Sequence, residues 1–205
     1  MRLSGQEIAP LLSQLGLSVS PELASQLSTY LTLLLKWNAR TNLTAIREPH
    51  EIVQRHFADS LFCAGHIFPS ASTLLDFGSG GGFPGIPIAL ARPQLHVTLA
   101  ESQNRKAAFL HEAVRSLNLN AKVWSERVES MPAGQRYDAV ALRAVDQMES
   151  ACQIAATKII PGGQMLVFTT DRLQISVTSA TPFIRWQEPL RIPHSDHGLL
   201  LLGHR

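Results

Sequence analysis

Five of the chain's thirteen glycines lie between positions 78 and 85, in the run Asp76-Phe77-Gly78-Ser79-Gly80-Gly81-Gly82-Phe83-Pro84-Gly85. The run follows an apolar, strand-like stretch, Thr73–Phe77, and precedes a helix-like one, Pro84–Ala91. Glycine takes positive φ without strain and lets a ligand touch bare backbone, while the following helix offers free N–H groups. A loop of this kind belongs at the carboxyl end of a strand in an open, doubly wound α/β sheet, where ligands bind near the topological switch point. The reading without a ligand is a tight turn in which Asp76 only caps the next helix.

The remaining chain agrees with that architecture. Strands are predicted at Thr73–Phe77, His96–Ala100, Ala121–Trp124, Tyr137–Leu142 and Gln164–Thr169, with helices at Pro84–Ala91, Asn104–Leu117 and Asp146–Ile160 between them. Such alternation predicts βαβ units and a mostly parallel sheet covered on both faces. Phe183–Trp186 and Leu199–Gly203 read as two late strands that pair antiparallel at an edge. Residues 1–70 read instead as helices. Ser20-Pro21 is an N-cap followed by proline at the first helical position, and Leu23, Leu27, Tyr30, Leu31 and Leu34 make one apolar stripe. Pro49 starts a second helix, after a polar connector over Asn38–Thr44. The division is an N-terminal helical cap (1–70) on an α/β domain (71–205), together one compact unit.

Composition narrows the classes. A net charge of +2 supplies no strong basic field, so any nucleic-acid contact rests on a local cluster such as Arg40, Arg47, Arg55, Arg105 and Lys106. Cys63 and Cys152 stand far apart without a CxxC pair or a histidine cluster, which argues against a disulfide or zinc scaffold and fits a reducing cytoplasm. The stretch from Met1 to Glu7 carries an acid where a signal peptide needs an apolar core, and no apolar run spans a bilayer. No metal site and no membrane role are expected.

Two registers compete for the glycine run. Gly80, Gly82 and Gly85 satisfy G-x-G-x-x-G, with Glu101 about twenty residues further on, the nicotinamide dinucleotide pattern. In the other register Asp76 stands two before Gly78-x-Gly80-x-Gly82. A carboxylate there would repel a pyrophosphate but suits a ligand bearing an ammonium and a sulfonium, as S-adenosylmethionine does. Glu101, at the end of the second strand, serves ribose hydroxyls in both readings. Asp76 decides for S-adenosylmethionine, with Gly78 and Gly80 beside the ligand and Gly85 easing helix packing. A Tyr-x-x-x-Lys pair, which an oxidoreductase reading would want, is absent: neither Tyr30 nor Tyr137 has a lysine four residues on.

Further segments add a resemblance. Lys36-Trp37-Asn38, Thr41-Asn42-Leu43-Thr44, Arg55-His56-Phe57-Ala58-Asp59-Ser60, Gly78 to Pro87, Glu126-Arg127-Val128-Glu129 and Leu142-Arg143-Ala144 occur in this order. From about Leu23 to Gly163 the chain thereby resembles the glucose-inhibited division protein B family of 16S ribosomal RNA methyltransferases. The resemblance implies a class I S-adenosylmethionine-dependent methyltransferase fold with a seven-stranded sheet, a monomer, and methyl transfer to guanine N7 in 16S ribosomal RNA or the small ribosomal subunit. It further implies that Gly78 and Phe83 line the cofactor site, that Val128 and Glu129 frame the adenine, and that Arg143 faces the methionine end and the incoming base.

Guanine N7 has a lone pair and no proton, so positioning and electrostatics, with Arg143 as the catalytic candidate, carry the reaction. Arg143 suits guanine O6 or a phosphate; its other reading is a strand-end ion pair. Candidate RNA contacts are Arg40, Asn42, Arg55 and Arg105, against a solvated surface as the plain alternative. His56 and Asp59 share one helix face, as an acid–base pair or as packing, and Trp37 stacks on a base or belongs to the core. The family's Lys-Gly after the fifth strand is replaced by Thr169-Thr170. That replacement keeps open a cofactor- and RNA-binding module without catalysis.

Overall fold

The computed structural model describes residues 3–193 and 195–205. Met1 and Arg2, which open the stretch read against a signal peptide, lie outside the described residues. Helix α1 (Gly5–Gln14) begins at Ser4, whose N–H donates to the Glu7 carboxylate at 2.8 Å. Helix α2 (Pro21–Asn38) starts where the Ser20 hydroxyl accepts from the Leu23 N–H at 3.2 Å, and its stripe of Leu27, Tyr30, Leu31 and Leu34 is buried as the spacing predicts. A third helix is continuous but not uniform: α3 (Pro49–Glu51), a π-helical segment (Ile52–Phe57) and α4 (Ala58–Gly65).

Strands β1 (Thr73–Phe77), β2 (His96–Ala100), β3 (Ala121–Trp124), β4 (Tyr137–Leu142) and β5 (Ile159–Thr170) run parallel in the order β3-β2-β1-β4-β5. Between them lie α5 (Gly85–Ala91), α6 (Asn104–Ser116) and α7 (Met148–Thr157). The order reverses between β1 and β4, and this switch point positions the site.

Beyond β5 the sheet is larger than the seven strands expected. Helix α8 (Gln174–Ala180) precedes β6 (Arg185–Trp186) and β7 (Leu190–Arg191), and β8 (Gly198–His204) lies antiparallel to β5 while β6 and β7 pair with its other side. The eighth strand arises because one long strand, β8, can hold two two-residue strands along a single edge.

The sheet separates two apolar layers. Leu74 and Leu99 pack with α5, α6 and the helical cap, including Ile8, Leu31 and Phe57. Leu75 and Val140 pack with α7 on the other face. The helical cap and one face of the sheet therefore share a single core.

Candidate cofactor and substrate site

A cavity of about 780 Å³ opens at the switch point. Its walls are the glycine loop and Phe83 behind β1, Glu101 to Gln103 behind β2, Glu126 to Glu129 behind β3, and Arg143 to Gln147 behind β4. The helical cap closes it with Leu43 to Ile46 and His56. Of the expected cofactor residues, Gly78, Gly80, Phe83, Glu101, Val128, Glu129 and Arg143 all meet here. Gly78 has φ +75, and a Cβ at this position would sit 3.1 Å from Val145 Cγ2, so both backbone and space call for glycine.

Asp76 is not on this wall. It is fully buried beneath the loop, and its Oδ2 accepts from the Gly85 N–H at 3.0 Å. A Cβ on Gly85 would come within 2.5 Å of that oxygen, so Gly85 does serve close packing. Asp76 thus holds the start of α5 against β1, the role foreseen for it in the plain-turn reading. Its Oδ1 is buried without a partner among the described residues, and burial raises the carboxyl to about 7.

Glu101 lines the cavity yet is only 7 % accessible. Both carboxylate oxygens hold backbone, Oε2 accepting from the Gly80 N–H at 3.0 Å and Oε1 from the Gln103 N–H at 2.7 Å. It therefore shapes the glycine loop as well as lining the cavity. Val128 is buried and Glu129 exposed, so this stretch of wall sets an apolar side chain beside a polar one.

Arg143 does form the strand-end ion pair. Its Nη2 donates to Asp59 Oδ2 at 2.7 Å, with side chains 15 % and 14 % exposed. Nη2 also donates to the Arg55 carbonyl at 2.9 Å and Nη1 to that of His56 at 3.4 Å, and the guanidinium lies over the Phe168 ring. Both carbonyls belong to the π-helical segment. A π-turn disturbs the regular i→i−4 ladder, and the cation supplies donors to carbonyls in it. Arg143 thereby joins the sheet to the helical cap at the cavity wall.

His56 and Asp59 do not pair with each other. His56 Nε2 lies 2.8 Å from Thr44 Oγ1 and its ring stacks on Phe83 with centroids 4.5 Å apart. Burial, then the Arg143 and Arg55 charges, lower it to about 3, so the ring is neutral and a poor base. Trp37 belongs to the core: it donates to Glu112 at 3.1 Å and sets its edge on Phe109.

The RNA candidates Arg40, Asn42, Arg55 and Arg105 are all exposed and none lines the cavity. Lys106 of the basic cluster and His56 do line it, as do Thr44 and Arg127, to which the sequence assigned no role. Thr169 is buried with no partner for its hydroxyl among the described residues. Among the described residues no group of His, Cys, Asp and Glu has the makings of a metal site, and no helix is long and apolar enough to cross a membrane.

Residues 23–198 match the family described as GidB, rRNA small subunit methyltransferase G. The chain is 40% identical over 179 residues to the ribosomal RNA small subunit methyltransferase G of Xanthomonas campestris pv. campestris (strain B100), covering 86% of this chain and 84% of that protein. It is 41% identical over 185 residues to the protein of that name from Stenotrophomonas maltophilia (strain K279a), covering 89% and 85%. Among solved structures, an O-methyltransferase from Bacillus cereus in complex with SAH superposes with TM-score 0.62 at 17% identity, over 86% of this chain and 91% of that one. A SAM-dependent methyltransferase from Aquifex aeolicus gives 0.61 at 12%, over 75% and 92%. The last two show the fold, that of the class I methyltransferases.

Proposed function

The chain belongs to the rRNA small subunit methyltransferase G family, and on that premise we propose that it transfers a methyl group from S-adenosylmethionine to N7 of a guanine in 16S ribosomal RNA. The observation that carries this reading is the meeting of the glycine loop, Glu101 and the Val128–Glu129 pair in one cavity at the switch point. Membership also sets aside the nicotinamide register of the same glycines.

The donor set fits the cofactor. Glu101 offers carboxylate oxygens at the end of β2, where ribose hydroxyls add to the backbone bonds it already accepts. Val128 gives an apolar surface for an adenine. Gly78 and Gly80 leave the backbone bare for the methionine portion. Bound there, S-adenosylmethionine supplies an electrophilic methyl group on a sulfonium sulfur.

The chain's own task is placement. N7 carries no proton, so no residue has to act as a base, and the imidazole on the wall, that of His56, is a weak one. The purine becomes cationic as N7 is alkylated, which an unbalanced positive charge nearby would oppose. Asp59 balances Arg143, and burial keeps His56 neutral. Exposed Arg40, Asn42, Arg55 and Arg105 are assigned to RNA contact around the mouth. We further assign the protein to the cytoplasm, acting as a monomer on 16S ribosomal RNA or the assembled small subunit.

The test is incubation of the purified chain with labelled S-adenosylmethionine and a 16S ribosomal RNA transcript or small subunits, followed by mass mapping. Expected is 7-methylguanosine at one position. Cofactor binding by calorimetry without any methyl incorporation would favour the non-catalytic module that Thr169-Thr170 leaves open.

A further inference from the structure

The helical cap reaches the glycine loop through one buried phenol. Tyr30, on α2, is fully buried and does not line the cavity, and its hydroxyl donates to the Gly81 carbonyl at 2.5 Å. Burial, then the nearby Asp76 charge, raise the phenol well above its ordinary value, so the group keeps its proton and remains a donor. The ring is fixed by its neighbours. It stacks on Phe57 with centroids 5.4 Å apart and packs against Phe83 and Phe109 at 5.6 and 6.5 Å. Phe83 is itself part of the cavity wall.

Gly81 is buried, and its carbonyl has no other donor among the described residues. Across the same peptide, the Gly82 N–H donates to the Ser79 carbonyl at 2.7 Å. The 81–82 peptide is thus held on both sides, within a run of three glycines whose own conformational freedom would let it turn over. Gly82 sits at φ +91, and a Cβ there would come within 2.8 Å of the Tyr30 oxygen, so loop and phenol are fitted to one another. The neighbouring Gly80 N–H is held by Glu101. Two separate elements, the end of β2 and helix α2, therefore keep the loop in one shape.

We propose that Tyr30 is a positioning residue for the cofactor: its hydroxyl holds the 81–82 peptide of the glycine loop in the orientation that S-adenosylmethionine binds, and so sets the fraction of molecules ready to bind. This rests on the cofactor reading of the loop. Tyr30 lies outside the cavity and acts through Gly81, which lines it. A run of bare glycines has no side chains with which to order itself, and it loses the most conformational freedom on being fixed. Affinity falls in proportion when the competent shape is only partly populated. The helical cap thereby serves cofactor binding as well as the core it shares with the sheet.

The test compares the full chain with two variants. Tyr30→Phe removes one hydroxyl and keeps the ring, while Trp37→Phe removes a hydrogen bond to Glu112 from the same aromatic cluster, away from the loop. Affinity for S-adenosylhomocysteine is read by calorimetry and stability by urea unfolding. Tyr30→Phe should weaken binding roughly 3- to 10-fold, as the competent loop falls to about a third to a tenth of molecules. Trp37→Phe should stay within about twofold, whatever stability it loses. Amide exchange should quicken at Gly82 in Tyr30→Phe but not along the strands, and saturating S-adenosylhomocysteine should slow it again. Unchanged affinity in a folded Tyr30→Phe, or an equal loss in Trp37→Phe, overturns the proposal. If Tyr30→Phe fails to fold, the Gly82 amide of the unaltered, ligand-free chain decides: protection supports a loop held in advance, and exchange at the rate of an exposed loop overturns it. An unaltered chain that binds no S-adenosylhomocysteine would remove the cofactor reading together with the proposal.

Discussion

Replacing Asp59 by alanine strikes the joint between sheet and helical cap. The Asp59–Arg143 pair is six-sevenths buried, with side chains 14 % and 15 % exposed, and burial pushes the carboxyl up and the guanidinium down against their mutual attraction. The charged pair is thus expensive to bury, and removing one member leaves the other uncompensated, at a cost of about 3–5 kcal/mol. Arg143 would keep the Arg55 and His56 carbonyls and the Phe168 face, so the low end applies, about 3 kcal/mol. At about 2–4 °C per kcal/mol for a chain of this size, the expected fall in Tm is about 6–12 °C. Denaturant unfolding of Asp59→Ala, Arg143→Met and the double variant Asp59→Leu/Arg143→Met closes the comparison. The double variant, with no stranded charge, should be more stable than Asp59→Ala. A loss below about 1 kcal/mol in Asp59→Ala, the range of a solvent-exposed pair, would refute the reasoning.

Other expectations concern single groups. Asp76 has a folded-state value of about 7, above its unfolded value, so the stability it contributes is complete below the unfolded value and lost as pH rises through about 7. Asp76→Asn should flatten the fall in stability between pH 5 and pH 8 measured by urea unfolding; an unchanged slope would show that another group titrates there. Glu101→Ala should lower cofactor affinity by about tenfold or more in calorimetry and cost about 2 kcal/mol of stability, since it frees the Gly80 and Gln103 N–H groups together. Unchanged affinity would remove Glu101 from the ribose. Cys63 and Cys152 are both buried and their thiols pushed up by burial, Cys152 to about 12, so a thiol reagent should label neither until the chain unfolds.

Strands β1 to β4 have the bounds their sequences predict, because each is a short apolar run flanked by turn residues. Strand β5 begins five residues earlier than predicted, at Ile159 rather than Gln164. Across Pro161-Gly162-Gly163 a register shift between Tyr137 and Ala139 lets the strand continue. Helix α8, Gln-Ile-Ser-Val-Thr-Ser-Ala, has few helix formers and no side-chain cap, and its only fully buried residue is Val177, so little local signal announces it. The loop residues of the site were legible from glycine spacing and strand ends. The His56–Thr44 pair and the Arg143 carbonyl contacts were not, because they depend on residues far apart in sequence and on a π-turn that no local pattern declares. Asp76 shows the opposite limit: the residue type was informative, but whether it faces the ligand or the floor of the loop is a matter of packing.

The last segment of the chain has an unusual place. Strand β8 lies inside the sheet, with β5 on one side and β6 and β7 on the other. During synthesis β1 to β7 are made before β8 emerges, so the nascent protein carries β5 as a raw edge until then. Without β8 the protein would present β5 as a long apolar edge to its neighbours. The seven residues of β8 therefore decide whether β5 is a covered strand or an apolar edge open to aggregation.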